Sequence, residues 1–317
     1  MKLGKAFEIL VKQILIKIGF SEVKSDGLYI FDGAPGQMIQ GLGEAHNADV
    51  LLEPPAQTPF YAPSRLLIEC KDYKKKVGLN TIRSVLGLRE DINHFNIVDK
   101  EELMGRRRMN REGIVYDSER FYYQVAIAAV NGYTVPAQKF AATYRIPLLE
   151  FDKMPFWKEF CDLIKNNNDF QNQQDSYSED SDIQRTELEL INLAKKIGEK
   201  MAVAITSSGQ FLFLYLAEGN QINFSNRYSL HWRNQYLPWE LHTAQCKYKF
   251  QLPENLMKAW LDNATTDLDM RREAILCKES FMSNMIVYYT HNSQRIIKMI
   301  SIDREGLNKA RIELGIN

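Results

Sequence analysis

An apolar segment that ends in two charged residues constrains the fold of this chain more than any other feature. Residues 65–72 read Arg-Leu-Leu-Ile-Glu-Cys-Lys-Asp. In a β-strand successive side chains alternate between faces, so Glu69 and Lys71 would share one face while Ile68 and Cys70 share the other. A carboxylate and an ammonium group at the end of a buried strand cost desolvation free energy unless a partner, a metal ion or a phosphate compensates for it.

A second candidate strand begins at Asp49 and continues with three apolar residues. If this strand lies beside the first, Asp49 and Glu69 form a pair of carboxylates with Lys71 next to them. Oxygen ligands of this kind suit a hard cation such as Mg²⁺, so the pattern indicates a hydrolytic metal site. Two plainer interpretations stay open, with Glu69 and Lys71 as a structural ion pair and Asp49 as a turn residue. His46 is either a loop histidine or a ligand.

The first half of the chain alternates between helical and strand patterns. Apolar residues at helical spacing predict helices over residues 3–18 and 79–95, with Glu8 along the flank of the first buried face. A third helix is expected over residues 134–144, where a proline falls in the first turn. Strands are predicted at residues 28–31, 49–52, 65–71, 123–130 and 146–151, and a glycine-rich loop from Asp32 to Gly43. This order is typical of an α/β fold with helices on both sides of a sheet, and the most apolar of these strands is expected inside it.

A polar, acidic segment divides the chain. Residues 165–182 contain no aliphatic side chain and are predicted to be a linker. The sequence therefore predicts one domain over residues 1–164 and a second over residues 183–317. In the second domain, helices are expected at residues 188–197, 254–262, 267–280 and 304–314, and strands at 201–205, 211–217, 228–250, 285–289 and 296–302. This C-terminal half is expected to be an α+β domain that binds substrate or a partner.

Composition narrows the class of protein. The 317 residues carry 40 basic and 40 acidic side chains, so the net charge neither predicts nor excludes a nucleic-acid partner. The four cysteines form no Cys-x-x-Cys pair, which argues for reduced thiols and against a zinc ribbon. Charged residues interrupt the first apolar segment, unlike in a signal peptide, and no apolar run approaches the roughly 18 residues of a membrane span. A cytoplasmic protein without a membrane segment is expected.

Basic residues cluster at three places where a nucleic acid could contact the protein. One cluster follows the strand at residues 65–71, one residue lies on the predicted helix at 79–95, and one cluster lies in a charged insertion over residues 99–117. The candidate contacts are Lys74, Lys75, Lys76, Arg83, Arg106, Arg107 and Arg108. Beside a site that handles phosphate, these side chains would bind a nucleic-acid backbone. The plainer alternative is a set of solvated turns and loops.

Taken in order, these features resemble the PD-(D/E)xK nuclease superfamily. The series is a helix with Phe7-Glu8, then Asp49, then Glu69-x-Lys71, then a basic turn and a second helix. Within the superfamily, the chain looks most like the Mrr-like restriction nucleases. Further matching positions are Gly19-Phe20, Val77-Gly78, Gly132-Tyr133-Thr134 and Ile146-Pro147-Leu148. The resemblance covers residues 1–152. The glycine-rich approach to the metal-binding aspartate is only partly kept, and the proline-rich connection and the arginine-rich insertion are this chain's own.

The resemblance implies a restriction-endonuclease-like mixed sheet flanked by helices and a metal site on it. Asp49 and Glu69, with the carbonyl of Cys70, would ligate Mg²⁺ or Mn²⁺. Lys71 would orient or deprotonate the attacking water and neutralise charge on the phosphate. Glu8 would reach the site from the first helix as an outer ligand.

The same resemblance implies a Mg²⁺-dependent endonuclease that hydrolyses phosphodiester bonds of double-stranded DNA. A role in restriction or phage defence is expected, with control by DNA state, by assembly into a homodimer or by a co-encoded protein partner. The alternative is a nuclease-like fold that serves as a non-catalytic nucleic-acid-binding or scaffold subunit. A third possibility that the sequence leaves open is cleavage of RNA.

Overall fold

The protein has a mixed α/β structure in the parts of the chain that the computed structural model describes. These are residues 3–27, 29–34, 36–57, 62–95, 121–151, 154–166, 180–207, 211–232, 238–252 and 264–316. The chain divides into two compact units. The first unit comprises Lys2–Lys12 and Phe20–Leu149, and the second comprises Gln13–Gly19 and Glu150–Asn317. The predicted linker at 165–182 stays a prediction, since residues 167–179 lie outside the described ranges.

The first half of the chain contains the helices and strands that its patterns predict, together with three additional strands. The elements are α1 (Leu3–Ile18), β1 (Ser21–Glu22), β2 (Ile30–Gly33), β3 (Gly36–Gln40), β4 (Ala45–Asn47), β5 (Val50–Glu53), β6 (Ser64–Lys71), α2 (Leu79–His94), β7 (Tyr122–Ala129), α3 (Val135–Thr143) and β8 (Leu148–Glu150). The additional strands are β1, β3 and β4. The type and order of the other elements follow the predicted helix and strand pattern, with boundaries that move by one or two residues.

Five strands form the main sheet in the order β1-β5-β6-β7-β8. β5 runs antiparallel to β6, with Val50 opposite Ile68 and Leu51 opposite Leu67. β6 runs parallel to β7 from Ser64 to Lys71. The prediction that the apolar strand β7 lies inside the sheet is confirmed. Helices α2 and α3 cover one face, where Leu67 shares a buried core with residues of both helices.

The predicted glycine-rich loop from Asp32 to Gly43 is wrong in part, because β3 lies within it. β2, β3 and β4 form a small antiparallel sheet in which Ile39 lies opposite both Ile30 and His46. Alternation of apolar and polar residues is weak in this segment, and glycines at both ends hide the strand pattern. This small sheet brings His46 towards the end of β5.

A closed barrel forms the core of the second unit. The elements after β8 are α4 (Trp157–Asn166), α5 (Asp180–Gly198), β9 (Met201–Thr206), β10 (Phe211–Glu218), β11 (Arg227–His231), β12 (Trp239–His242), β13 (Lys247–Phe250), α6 (Asp267–Phe281), β14 (Asn284–His291), β15 (Gln294–Ile302) and α7 (Arg304–Glu313). The barrel order is β10-β13-β12-β11-β15-β14-β9, closed by pairing of β9 with β10. Its interior is rich in aromatic side chains, including Trp239, Tyr248 and Phe250.

The second half of the chain contains both helices and strands, as expected for an α+β domain. That its strands close into a barrel was not predicted. The helix predicted at residues 254–262 lies outside the described residues. Within the described ranges, no helix combines the length and the apolar character that crossing a membrane requires.

Candidate functional site

The ends of β5 and β6 bring Asp49 and Glu69 together. The observed register ends with Val50 opposite Ile68, and Asp49 and Glu69 are the next residue on each side, close enough for the charge of Glu69 to act on Asp49. One carboxylate oxygen of Asp49, Oδ2, accepts a hydrogen bond from the backbone N–H of Cys70 at 2.8 Å. The other, Oδ1, accepts one from the Asn47 side chain at 3.0 Å. The aspartate is therefore held at the end of β6 by contacts from both sides.

Glu69 and Lys71 form an ion pair on the same face of β6, as the alternation of strand side chains predicts. Their side chains are only 20% and 19% exposed. A pair at this depth loses much of its hydration, and its mutual attraction opposes that loss. Two carboxylates and one ammonium group therefore lie at the end of two adjacent strands.

The charges of this group act on one another. Burial raises the pKa of Asp49, and the neighbouring Glu69 raises it further, while the Cys70 N–H, Lys71 and Lys5 oppose the rise. The two carboxylates are thus close enough to repel each other. An added cation would relieve this repulsion.

Lys71 is held in its charged form. Burial lowers the pKa of the Lys71 ammonium group, but the hydrogen bond to Glu69 and the charges of Glu69 and Asp49 outweigh burial, so the pKa is raised. At neutral pH this side chain consequently keeps its proton.

The other face of β6 carries Cys70, which lies near Glu8 of α1. Burial raises the pKa of the Cys70 thiol well above its usual value, and the charges of Asp49, Glu8 and Glu69 add to the effect. The Glu8 carboxylate itself accepts a hydrogen bond from Lys5 at 3.0 Å. The structure therefore brings Glu8 to the neighbourhood of the carboxylate pair, where Lys5 engages its oxygen.

Four of the seven predicted basic contacts lie in the described part of the chain. Lys74, Lys75 and Lys76 are exposed in the segment that follows β6. Arg83 is exposed on α2, with its guanidinium 5.8 Å from the centre of the Phe140 ring. The remaining candidates, Arg106, Arg107 and Arg108, lie outside the described residues.

A cleft of about 1020 Å³ opens beside the Glu69–Lys71 pair. Glu69, Lys71 and Tyr73 line it at the end of β6, and the neighbouring face of α2 lines one side. The segment from Gly43 to Asn47 and Asp91 complete the lining. Glu69 and Lys71 are thus accessible from a cleft at the upper end of the size range of ligand sites, which is roughly 300–1,000 Å³ in most proteins.

Asp91 is a site residue that the sequence patterns did not reveal. His46 Nε2 lies 2.6 Å from its Oδ2, and the backbone N–H of Gly43 donates to its Oδ1 at 3.0 Å. Burial raises the pKa of the Asp91 carboxyl, but the His46 hydrogen bond, the Gly43 N–H and the imidazole charge together lower it. We call this group the Asp91 clamp. It fixes the glycine-rich segment before β4 to α2. His46 itself lies in β4 and not in a loop, and its imidazole is bound to Asp91.

The described residues contain no group of three or more histidine, cysteine, aspartate or glutamate side chains arranged to hold a metal ion. Mg²⁺ needs less than that, because it binds one or two carboxylates and completes its octahedron with water and phosphate oxygens. Asp49 and Glu69, whose charges repel each other, fit that requirement. A structural zinc ion, which takes four protein ligands, does not fit.

Comparisons with known proteins leave the family open. No model of a protein family matches the chain, and no curated protein matches it. A crystal structure of a protein of unknown function, AF1548, is 15% identical and aligns with a TM-score of 0.31 over 61% of this chain and 97% of that one. This likeness identifies neither a fold nor an activity.

Proposed function

We propose that this chain is a Mg²⁺- or Mn²⁺-dependent endonuclease that hydrolyses phosphodiester bonds of DNA. The observation that carries the proposal is the proximity of Asp49 to Glu69, with Lys71 on the same face of β6 as Glu69 and a cleft that Glu69 and Lys71 line. The mixed sheet with antiparallel β5–β6 and parallel β6–β7 supports a restriction-endonuclease-like fold for the first half of the chain.

Asp49, Glu69 and the carbonyl of Cys70 would hold the metal ion, with Glu8 as an outer ligand. When bound, the metal would polarise a phosphoryl oxygen and lower the pKa of a water molecule. The protein supplies the rest of the site by fixing the carboxylates. Asn47 and the Cys70 N–H each hold one oxygen of Asp49, so this ligand is already oriented in the free protein.

Lys71 has two roles open to it in hydrolysis. As an ammonium group, the form that the neighbouring carboxylates Glu69 and Asp49 favour by raising its pKa, it would orient the attacking water by hydrogen bonding and stabilise the negative charge that develops on the phosphate. With those carboxylates bound to a metal ion, its amine form would accept the proton of that water.

The biological setting is part of the proposal and rests on the resemblance to Mrr-like nucleases. It comprises double-stranded DNA as substrate, a cytoplasmic location and a role in restriction or phage defence. Control by a homodimer, by a co-encoded partner or by DNA state also belongs here. The exposed Lys74, Lys75 and Lys76 support contact with a phosphate backbone next to the site.

A cleavage assay tests the proposal. Plasmid, linear duplex and single-stranded DNA, and RNA, are incubated with Mg²⁺, Mn²⁺ or EDTA and the wild-type, Glu69→Gln, Lys71→Ala or Asp49→Asn protein. We expect metal-dependent cutting by the wild type and a loss of about 10²–10³-fold or more in each variant, the usual effect of removing one charge-stabilising group. Circular dichroism checks that each variant is folded.

Glu53→Gln is the matched control. Glu53 pairs with Arg65 at 3.1 Å at the opposite end of the same two strands, and glutamine keeps a hydrogen bond to the guanidinium group. This variant should cut like the wild type. Cutting by Glu69→Gln at the wild-type rate would remove the proposed site. Binding of nucleic acid without any cutting by the wild type would favour the scaffold alternative.

A further inference from the structure

Gly87 occupies the middle of α2 without a structural need for glycine. A Cβ atom built there meets no other atom of the described structure within 4 Å. Its backbone is helical, which any residue adopts, and glycine in a helix interior is less stable than alanine by roughly 0.5–1 kcal/mol. Neither packing nor backbone geometry explains the residue, but its position does, because Gly87 lines the cleft beside Glu69 and Lys71.

The face of α2 towards the cleft carries no charged side chain before its last turn; it is small at Ser84 and Gly87, and the larger Val85 and Leu88 also line the cleft. Asn80, Ser84, Gly87 and Asp91 lie four, three and four residues apart, and so on one side of the helix, and all four line the cleft. Ser84 Oγ donates to the backbone carbonyl of Asn80 at 3.1 Å, so its side chain lies flat on the helix. A flat ligand can therefore approach the backbone of α2 closely at Gly87.

The charges of the cleft decide which part of a nucleic acid can lie there. Among the described lining residues, Glu44, Glu69 and Asp91 are acidic, while Lys71 pairs with Glu69 and His46 binds Asp91. A phosphate backbone along α2 would face acidic side chains and meet no excess of positive charge. Phosphates therefore belong at the end of β6, and neutral bases belong along α2.

An aromatic ring stands at the same end of the cleft. Tyr73 is 47% exposed, lines the cleft and lies near enough to Lys71 to affect its charge. Exposed aromatic side chains are the usual stacking surface for unpaired bases, each stack being sequence-tolerant because every base has a flat face. A phosphate at Glu69 and Lys71 would place the next base beside this ring.

We propose that this cleft binds unpaired bases of the substrate strand, with Tyr73 stacking on one base and Gly87 leaving room for another against α2. The inference rests on the proposed function and adds a condition on its double-stranded substrate, which must be unpaired next to the cleaved phosphate. A continuous duplex must open at that point before it is cut.

The test measures binding apart from cleavage. Fluorescence anisotropy with the full chain, with Ca²⁺ in place of Mg²⁺, gives the dissociation constant for four labelled oligonucleotides. They are a single strand, the same strand in a blunt duplex, the same strand opposite a short unpaired loop, and a single strand whose central nucleotides lack bases. We expect the single strand and the loop to bind more tightly than the duplex, and the strand without bases to lose at least about fivefold, the size of one weak base stack.

Two pairs of variants locate the effect. Gly87→Leu fills the cleft, whereas Glu90→Leu adds the same side chain to an exposed position of α2 outside it. Tyr73→Ala removes the stacking ring, whereas Tyr122→Ala removes a ring of similar exposure, 42%, at the start of β7. We expect the first member of each pair to weaken single-strand binding at least about fivefold and the second to leave it unchanged. Thermal melting should show that Gly87→Leu is no less stable than the wild type.

Three results would overturn the inference: unchanged binding by Gly87→Leu, equal binding of the strands with and without bases, or no binding of any oligonucleotide by the wild type. A wild type that cuts DNA normally but shows no base dependence would sink the inference and leave the nuclease intact. Base-dependent binding lost in Gly87→Leu, with no cutting under any condition, would support the inference and refute the proposed activity.

Discussion

Replacing Gly41 with alanine should break the Asp91 clamp, although Gly41 makes neither of the two hydrogen bonds of the clamp. A Cβ at residue 41 would lie 2.0 Å from Asp91 Oδ2 and 2.9 Å from both Asp91 Cγ and the backbone oxygen of Glu44. At least one of these two neighbours, the Asp91 side chain or the Glu44 carbonyl, has to move. The Asp91 side chain is the movable one, and rotating it away abandons its bonds to His46 and to the Gly43 N–H.

The size of the effect follows from those two bonds. Hydrogen bonds to a charged group contribute about 1.5–3 kcal/mol each when buried. The Asp91 side chain is 21% exposed, so the free energy that each of its hydrogen bonds contributes lies towards the lower end of that range. Residual crowding against the Glu44 carbonyl adds to the loss. We expect Gly41→Ala to destabilise the segment before β4 by about 2–4 kcal/mol.

Gly43→Ala is the matched control, because a Cβ at residue 43 meets only Asp91 Oδ1, at an ordinary 3.7 Å. A surface change of that kind alters stability by about 0.5 kcal/mol or less. Hydrogen exchange read by mass spectrometry on peptides that span residues 40–47 measures the local opening. A chain of two compact units need not unfold in one step, so a global melt would be harder to interpret. Exchange should be about 30-fold faster or more in Gly41→Ala.

A double variant tests whether the clamp accounts for the effect of Gly41→Ala. If the clamp is what Gly41→Ala removes, the same substitution in an Asp91→Ala background should have a smaller effect than in the wild type, because only the clash with the Glu44 carbonyl, at 2.9 Å, remains. Full additivity of the two substitutions would refute the account. So would equal exchange in Gly41→Ala and Gly43→Ala.

Two further predictions concern the second unit. Burial lowers the pKa of Lys278, which lies 5.9 Å from the centre of the Trp239 ring, to about 8. Between about pH 8 and 10.5 the unfolded chain then binds more protons than the folded one, so the free energy of unfolding rises with pH in that window. Lys278→Met should therefore raise the free energy of unfolding at pH 7 by up to about 3 kcal/mol. Thermal melts should show that this gain is smaller at pH 10. Thr266→Ala removes a helix cap in which the threonine hydroxyl accepts from the Asp269 N–H at 3.1 Å, and it should cost about 1 kcal/mol in denaturant titrations. Thr265→Ala leaves that cap bond in place and should cost less. Equal losses of stability in the two threonine variants would contradict the cap prediction. A wild type whose stability does not change with pH above pH 8 would contradict the Lys278 prediction.

Local patterns predict much of the fold. The helices α1, α2 and α3 and the strands β5, β6 and β7 follow from periodicity alone, because each buries one face or both and so repeats its apolar residues at a fixed spacing. β3 and the closure of the barrel do not follow. β3 is short and bounded by glycines, and barrel closure depends on pairing β9 with β10 and β14 with β15 around a ring, which is a property of the whole set of strands.

The site shows the same division between local and distant information. Glu69 and Lys71 were predictable as a pair, since residues two apart on a strand share a face. The contact of His46 with Asp91 joins residues 45 apart in the chain. No periodicity links a strand of a small sheet to the last turn of a helix, and a histidine and an aspartate are common on any surface. Only the packed structure could bring this pair to the cleft.

The pairing of Asp49 with Glu69 lies between these cases, because it depends on register. The apolar residues of β5 and β6 are buried on both faces of the sheet, so hydrophobicity would tolerate a slip of one residue, which would move Asp49 to the other face. Polar contacts at both ends oppose that slip. Glu53 pairs with Arg65 at one end, and Asp49 accepts the Cys70 N–H at the other. The Cys70 contact that orients Asp49 therefore also fixes the register that places Asp49 next to Glu69. Asp49→Ala would remove a proposed metal ligand and also weaken the alignment of the two strands. Asp49→Asn retains an acceptor for the Cys70 N–H and so isolates the loss of charge.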